Sequence, residues 1–269
     1  MLNSITKPRD SVAFWRIAMY VTSTMVLIFM VVPILAIMPL SLNDSQFLTY
    51  PVRAFTGRWY VELFTSSRWS LAIWNSFLIG LSAAVIAGVL GTLAAAGLSL
   101  SNFQGKRALS TLLISPMIVP VIVFGVGLAL FLGPLGLVRN YGSIIAAHAA
   151  LGTPFVLITV TASMSTFDRT LLRAAASLGA SPVYTFYRVT MPIITPGLIS
   201  GFVFAFATSF DEVIIIILIG GPEHRTLPRE MFSSLRENIS PTIAAAATVM
   251  TIVAILVVGA IEMLKAERK

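Results

Sequence analysis

The sequence contains no cysteine, only two histidines and few charged residues, which make up 11% of its 269 positions. The absence of cysteine excludes disulfides, thiolate metal sites and cysteine-dependent catalysis. The chain also lacks the phosphate-binding pattern Gly-x-x-x-x-Gly-Lys-Ser/Thr, so any ATP used with it must bind to another polypeptide. No two histidines stand one helical turn apart, as in many metal-dependent hydrolases. We therefore expect this chain not to be an enzyme and to bind no metal or cofactor.

Apolar residues are abundant instead, at 57% of the sequence, with a mean hydropathy of +0.91. Backbone groups in lipid must be satisfied internally, and the apolar runs are continuous rather than alternating, which predicts an all-α membrane protein. About 20 residues cross a hydrocarbon core of about 30 Å. Six stretches are long enough, in one transmembrane domain covering 1–269: 17–42, 71–100, 111–132, 143–164, 197–219 and 241–264. The first is too long for a signal-peptide core, so we interpret it as a retained span.

Six spans place both termini on the same side of the membrane, and the distribution of Lys and Arg indicates which side. Segments on the side of the termini hold eleven positive and four acidic residues, against seven and five on the opposite side. Cytoplasmic segments near membrane helices carry the positive excess, so we expect cytoplasmic termini. The net charge of +7 is then a signal of topology and of attraction to anionic lipids, and it does not indicate nucleic-acid binding.

Small residues and prolines mark particular spans. The second span carries a stripe of small residues at four-residue spacing, which predicts close packing against another helix: Gly80, Ala84, Gly88, Thr92 and Ala96. Pro116, Pro120 and Pro154 are expected to bend the third and fourth spans. His148 is the only histidine within a span, and both a packing and a functional role remain open for it.

The stretch 168–197 lies between the fourth and fifth spans and is too long for a simple turn. Leu171, Leu172, Ala175 and Leu178 recur at helical spacing, and Gly179 marks a turn into a second piece. We expect two short helices on the membrane surface, with a coupling segment at 168–192.

These residues resemble the signature loop of type I ABC importer permeases: Glu-Ala-Ala, three residues, Gly, nine residues, an aliphatic residue, one residue, an aliphatic residue and Pro. The matching positions here are Arg173, Ala174, Ala175, Gly179, Val189, Met191 and Pro192. The resemblance continues in Trp74-Asn75-Ser76-Phe77 and in the segment from Phe55 to Phe64.

The resemblance implies a six-span permease fold in the bacterial inner membrane with a coupling helix that docks on an ATPase. It assigns that contact to Arg173, Ala174, Ala175, Gly179, Ala180, Tyr184 and Pro192. It also implies a second permease, expected to form a heterodimer, two ATPase subunits that use ATP and Mg, and a periplasmic or lipid-anchored solute-binding protein.

Arg173 departs from the family pattern, because it stands where the motif has glutamate. Either the ATPase carries a compensating acid, or Arg173 reaches toward lipid phosphates or caps a short helix.

An acidic pair, Asp211-Glu212, lies within the fifth predicted span, where a charge costs about 2.5–3.5 kcal/mol on insertion scales. One possibility is that a cationic substrate offsets this cost. The alternative is structural: one acid pairs with a basic residue of a partner permease and the other satisfies a broken helix end.

The string from Ser209 to Ala247 resembles the second permease of spermidine and putrescine importers. This resemblance implies a cation pathway formed by Asp211, Glu212, Ser209 and Trp59, with cation-π contact from the tryptophan. Another small amine, an amino acid, an opine-like solute or an organic ion remains open as the substrate. A secondary transporter without ATP is disfavoured, because it needs no coupling loop.

Overall fold

The computed structural model describes residues 8–237 and 239–266, and within these ranges the chain is almost entirely helical. The long helices are α1 (Pro8–Leu40), α3 (Ser67–Leu100), α6 (Tyr141–Met164), α9 (Met191–Asp211) and α12 (Pro241–Ala266). The shorter ones are α2 (Arg58–Thr65), α4 (Lys106–Ile118), α5 (Val121–Leu132), α7 (Thr170–Ser177), α8 (Pro182–Thr185), α10 (Ile214–Ile219) and α11 (Leu227–Glu237). The prediction of an all-α membrane protein is confirmed.

The third predicted span consists of two helices, because α4 and α5 meet at a bend of 102°. Val119 precedes Pro120 and is extended, with φ −69° and ψ 131°, since a proline ring disfavours the helical conformation of the residue before it. Of the three prolines expected to bend spans, Pro120 separates two helices, whereas Pro116 and Pro154 lie inside α4 and α6.

Contacts between helix ends show that the bent pair crosses the bundle. The Tyr141 hydroxyl donates to Asn75 Oδ1 at 2.9 Å, which joins the beginnings of α6 and α3. The Arg169 guanidinium, just beyond α6, donates to Ser99 O at the end of α3. Helix α4 begins close to that second junction, and α5 ends close to the first. The segment between the end of α3 and the beginning of α6, which contains α4 and α5, therefore runs from one end of the bundle to the other.

The fifth predicted span, 197–219, is divided in the structure. Helix α9 ends at Asp211, the backbone is extended at Glu212 (φ −77°, ψ 124°), and α10 begins at Ile214. At its other end, α9 follows directly on a π-helical turn, Phe186–Thr190, and on α8. We call the resulting 30-residue helix, Pro182–Asp211, the rod. This corrects the expectation of two separate surface helices in 168–192, because only α7 is separate and the second piece is the beginning of the rod.

The core lies where α3, α6 and α9 meet, and small residues allow their backbones to approach closely. Val156 of α6 is fully buried between Gly91 of α3 and Gly201 of α9. A Cβ atom on Gly91 would lie 2.6 Å from Val156 Cβ, and one on Gly201 would lie 2.6 Å from Val156 Cα. On Gly152 it would lie 2.9 Å from Ala205 Cβ. All five residues of the predicted small-residue stripe of α3 are buried, while the tightest contact falls beside the stripe, at Gly91.

We expect Gly91→Ala to destabilise the folded chain and Gly88→Ala to leave it unchanged or slightly more stable. The added methyl overlaps Val156 in the first case, which costs about 1–3 kcal/mol of overpacking. In the second case the nearest atom, Phe202 Cδ2, is 3.7 Å away. Both substitutions gain the same helix propensity, so melting temperatures in detergent isolate the packing effect. Equal melting temperatures would contradict the close approach of α3 and α6.

Candidate functional site

The first of two candidate sites lies at the end of the bundle where α3 ends, and Asp168 is the first residue of its segment. Its Oδ1 accepts a hydrogen bond from the Thr170 N–H at 2.8 Å, and its Oδ2 accepts one from the Thr170 hydroxyl at 2.6 Å. These bonds hold the pKa of the Asp168 carboxyl below its usual range, with a smaller contribution from nearby Arg173. The carboxylate therefore fixes the first turn of α7 and stays ionised.

Gly179 ends α7 in the left-handed conformation, with φ +78°. The Gly179 N–H donates to Ala176 O at 3.0 Å and the Ala180 N–H donates to Ala175 O at 3.0 Å, the hydrogen bonds of a Schellman C-cap. Among the described residues, no atom outside the neighbouring backbone lies within 4 Å of a Cβ built on Gly179. The position therefore needs glycine for its backbone conformation, not because the chain itself crowds it.

Exposed apolar side chains follow this turn. Leu178 is 87% exposed, Val183 67% and Tyr184 58%, and Ser181 caps α8 by accepting the Tyr184 N–H at 3.3 Å. Together with α7 they form what we call the α7 surface, residues 170–184. Six of the sequence-predicted coupling residues lie here: Arg173, Ala174, Gly179 and Tyr184 are exposed, and Ala175 and Ala180 are half-buried. Exposed apolar side chains beside a short surface helix suit a contact with another molecule.

Pro192, the seventh predicted coupling residue, lies outside the α7 surface, on the rod beyond the π-helical turn. Phe186 and Tyr187, in the π-helical turn, line a groove of about 390 Å³ against α3, together with Val85, Gly88 and Leu93. Phe186 is half-buried in this groove, whereas Tyr187 remains exposed.

Asp211 forms the second candidate site, at the opposite end of the rod. It is exposed and lines a groove of about 350 Å³ between α9 and α12. The other lining residues include Val203, Phe206, Met250 and Val257, so the walls are mainly apolar. Among the described residues, no cationic side chain forms an ion pair with the Asp211 carboxylate. An unpaired carboxylate in an apolar groove suits a cation that carries hydrocarbon.

Glu212 has a structural task. Its Oε1 accepts the Ile214 N–H at 2.6 Å and the Ile215 N–H at 3.1 Å, which satisfies the first turn of α10 after the break. This geometry agrees with one half of the structural alternative for the acidic pair, the acid at a broken helix end. The two neighbouring acids therefore have different surroundings.

Ser209 and Trp59 do not line the groove of Asp211. The Ser209 hydroxyl is buried 2.8 Å from His148 Nδ1, which joins α9 to α6. Trp59 is buried too, and its Nε1–H donates to Asn43 O at 2.7 Å. The Arg58 guanidinium already lies 4.2 Å from the centroid of the Trp59 ring. Of the four residues predicted for a cation pathway, the structure thus brings only Asp211 to the groove.

Asn75 has a role that the sequence did not reveal. It is fully buried, and its Nδ2 donates to the carbonyl oxygens of Glu223 at 2.8 Å and Arg225 at 2.9 Å. The neighbouring Ser76 Oγ accepts the Leu227 N–H at 2.8 Å. These bonds fix the connection between α10 and α11 over the ends of α3 and α6. In the sequence, the tetrapeptide from Trp74 to Phe77 drew attention to this position. It did not indicate that Asn75 and Ser76 bind the connection between α10 and α11.

Comparison with protein families and with known proteins gives a consistent result. Residues 87–264 match the family described as binding-protein-dependent transport system inner membrane component. The chain is 31% identical over 243 residues to the putrescine transport system permease protein PotI of Escherichia coli K12, covering 88% of this chain and 85% of that protein. It is 29% identical over 231 residues to the spermidine/putrescine transport system permease protein PotC of Haemophilus influenzae, covering 86% and 89%.

Two solved structures share the fold. One is a bacterial ABC transporter that imports the acidic polysaccharide alginate, with a TM-score of 0.69, 16% identity and coverage of 98% of this chain and 99% of that chain. The other is an amino acid ABC transporter, with a TM-score of 0.56, 18% identity and coverage of 77% and 95%. The predicted type I permease fold is confirmed.

Substituting Asn75 with alanine should loosen the connection between α10 and α11. The substitution removes the Asn75 donor from the Glu223 and Arg225 carbonyl groups, and only the Glu223 carbonyl keeps a second donor, the Tyr141 hydroxyl at 3.1 Å. The loss costs about 1–3 kcal/mol, whereas Tyr141→Phe removes a single hydroxyl and should have a smaller effect. We expect trypsin to cleave after Arg225 faster in Asn75→Ala than in Tyr141→Phe, and slowest in the unsubstituted chain. Identical cleavage rates would show that these bonds do not hold the segment.

Proposed function

Because this chain belongs to the binding-protein-dependent transport system inner membrane component family, we propose that it carries a polyamine, such as putrescine or spermidine, across the bacterial inner membrane. The chain is a multi-pass permease subunit of an importer, a kind of subunit that is not itself catalytic. One observation carries the choice of substrate: Asp211, whose carboxylate forms no ion pair within the described residues, lies in an apolar groove at the end of the rod.

The chemistry of a polyamine matches this groove. Its ammonium groups seek a carboxylate, and the methylene segments between them are compatible with walls such as Phe206, Met250 and Val257. The named functions of the relatives from Escherichia coli and Haemophilus influenzae support the same class of solute. Asp211 is therefore the substrate-pathway residue of the proposal, and Glu212, Ser209 and Trp59 support the surrounding structure.

The α7 surface is the proposed contact with an ATPase subunit. Exposed apolar residues at Leu178, Val183 and Tyr184 fit a groove on a partner, and the small side chains of α7 let that partner close over the helix. Arg173 is exposed, and in this arrangement it meets an acidic residue of the ATPase. ATP and Mg bind to two such subunits, and their closure pushes α7 and the rod. A second, different permease and a periplasmic or lipid-anchored solute-binding protein complete the transporter.

The α7 surface is cytoplasmic in this proposal. It lies at the end of the bundle where α3 ends and where α1 and α12 have their terminal ends, so both termini are cytoplasmic as well. The excess of Lys and Arg in these segments supports that orientation. The groove of Asp211 then faces the periplasmic half of the membrane, where a solute-binding protein delivers its ligand.

Asp211→Asn should lower putrescine uptake about tenfold to a hundredfold at low substrate concentration, because a charge-assisted hydrogen bond contributes about 1.5–3 kcal/mol. Glu212→Gln is the matched control: it removes the neighbouring charge but keeps a carbonyl oxygen for the Ile214 and Ile215 N–H groups, so uptake should stay close to normal. The measurement is radiolabelled putrescine uptake in cells that carry the whole transporter, with the amount of copurified partner subunits recorded.

Equal uptake by the two variants would remove Asp211 from the cation path. Loss of assembly in Asp211→Asn would assign that carboxylate to a partner permease instead. Uptake insensitive to competing putrescine and spermidine would retain the importer and reject polyamines as its substrate.

Gly179→Val should abolish stimulation of the ATPase, whereas Gly179→Asn should retain most of it. A valine in the left-handed conformation is strained by about 1–2 kcal/mol or more, while asparagine visits that conformation more readily. The measurement is substrate-stimulated ATP hydrolysis by the purified transporter, at matched amounts of this subunit. Normal stimulation in Gly179→Val would contradict the assignment of the α7 surface to the ATPase. Loss in both variants would show that the partner also needs the absence of a side chain here.

A further inference from the structure

The rod contains one wide turn, at Phe186–Thr190, between the α7 surface and the main part of α9. The Met191 N–H bonds to Phe186 O, five residues back, whereas an α-helix bonds to the residue four back. Such a turn is equivalent to one extra residue inserted into an α-helix. Compared with an uninterrupted α-helix, it therefore rotates the residues before the turn by about 100° about the helix axis relative to α9. We call this relative rotation the rotational phase.

Pro192 explains why the helix widens at this point. In an α-helix its ring would clash with the carbonyl group of Arg188, and it has no N–H to donate. Widening the turn that contains Arg188 relieves this conflict. Pro196 provides a contrast, because it lies inside α9 where the helix stays regular. The wide turn is therefore specific to the position next to Pro192.

The wide turn also determines which residues pack against α3. Phe186 and Met191 both line the groove formed with Val85, Gly88 and Thr92. In an α-helix, residues five apart point about 140° away from each other and do not share one groove. Thr190, within the turn, is only 1% exposed, so the turn is packed against the body and is not a frayed end. Tyr184, just before it, is exposed on the α7 surface.

We infer that Pro192 is a positioning residue, which sets the rotational phase between the α7 surface and the end of α9 that carries Asp211. It does so by holding the wide turn, without touching the ATPase itself. This inference rests on the proposed contact between the α7 surface and the ATPase. With the correct phase, Val183 and Tyr184 face the partner. Phe186 and Met191 then pack against α3, so a force applied to the α7 surface moves the rod as one body.

The test uses a compensating pair of changes in the complete transporter. Pro192→Ala lets the turn relax toward α-helical geometry, which rotates the α7 surface, and uptake should fall about tenfold or more. Deleting Val189 alone, with Pro192 kept, should impair uptake similarly. The double variant removes both the proline and the extra residue, which restores the phase, so uptake should recover to within about twofold of normal. Pro196→Ala is the matched control and should transport normally.

Three results would overturn the inference: normal uptake in Pro192→Ala, a double variant no better than the worse single variant, or equal losses in Pro192→Ala and Pro196→Ala. If the deletion keeps the chain out of the membrane, the variant Met191→Pro with Pro192→Ala decides instead. This variant moves the proline by one position but keeps the rotational phase, so its uptake should be higher than that of Pro192→Ala alone. Uptake equal to or lower than that of Pro192→Ala overturns the inference.

Tyr184→Asp separates this inference from the function on which it rests. It places a charge in the middle of the α7 surface and should abolish copurification of the ATPase. Retained copurification would reject the proposed contact itself, whatever Pro192 does. Lost copurification together with normal uptake in Pro192→Ala would reject only the role of Pro192.

Discussion

The contact of Val156 with Gly91 and Gly201 is the constraint on which the rest of the structure depends. In a membrane, helix association has no hydrophobic driving force, so it relies on close packing of small residues. Here three backbones approach around one side chain, and a single added methyl has no space at either glycine. This contact fixes the rod against α3 and α6. The rod therefore connects the end of the α7 surface, which it contains from Pro182 to Tyr184, to the groove of Asp211.

Charge is the second constraint, because lipid tolerates few unpaired ions. Glu230 is completely buried and pairs with Arg68 and with Arg225, the latter at 3.1 Å. Glu212 is used as a helix cap. Of these three carboxylates, only Asp211 neither forms an ion pair nor caps a helix within the described residues, and it is exposed in a groove. The proposed role in cation transport follows from this difference between neighbouring acids and not from the acidic pair as a whole.

The sequence predicted those features that depend on composition or on local spacing. Continuous apolar runs identify membrane helices, and Gly179 with its alanines identifies the end of α7, because both signals are local. The break at Glu212 was predicted only as one of two alternatives for the acidic pair, since the apolar run from Val213 to Ile219 is equally compatible with a continuous helix. The wide turn beside Pro192 was missed because a proline is also compatible with a regular helix, as Pro196 is within α9. Trp59 and Ser209 were assigned to a pathway, but their hydrogen-bond partners lie elsewhere in the chain and cannot be read from spacing.

If the rod couples the two candidate sites, nucleotide binding at one end of it changes access to the groove at the other. Since the chain has no cysteine, a single cysteine introduced at Ala207, which lines that groove, reports access directly. The measurement is its rate of labelling by a membrane-impermeant thiol reagent added from the periplasmic side, with Gln46→Cys in the exposed loop after α1 as the reference. We expect faster labelling at position 207 when the ATPase is trapped with ATP, and a constant rate at position 46. An unchanged rate at position 207 would contradict this coupling.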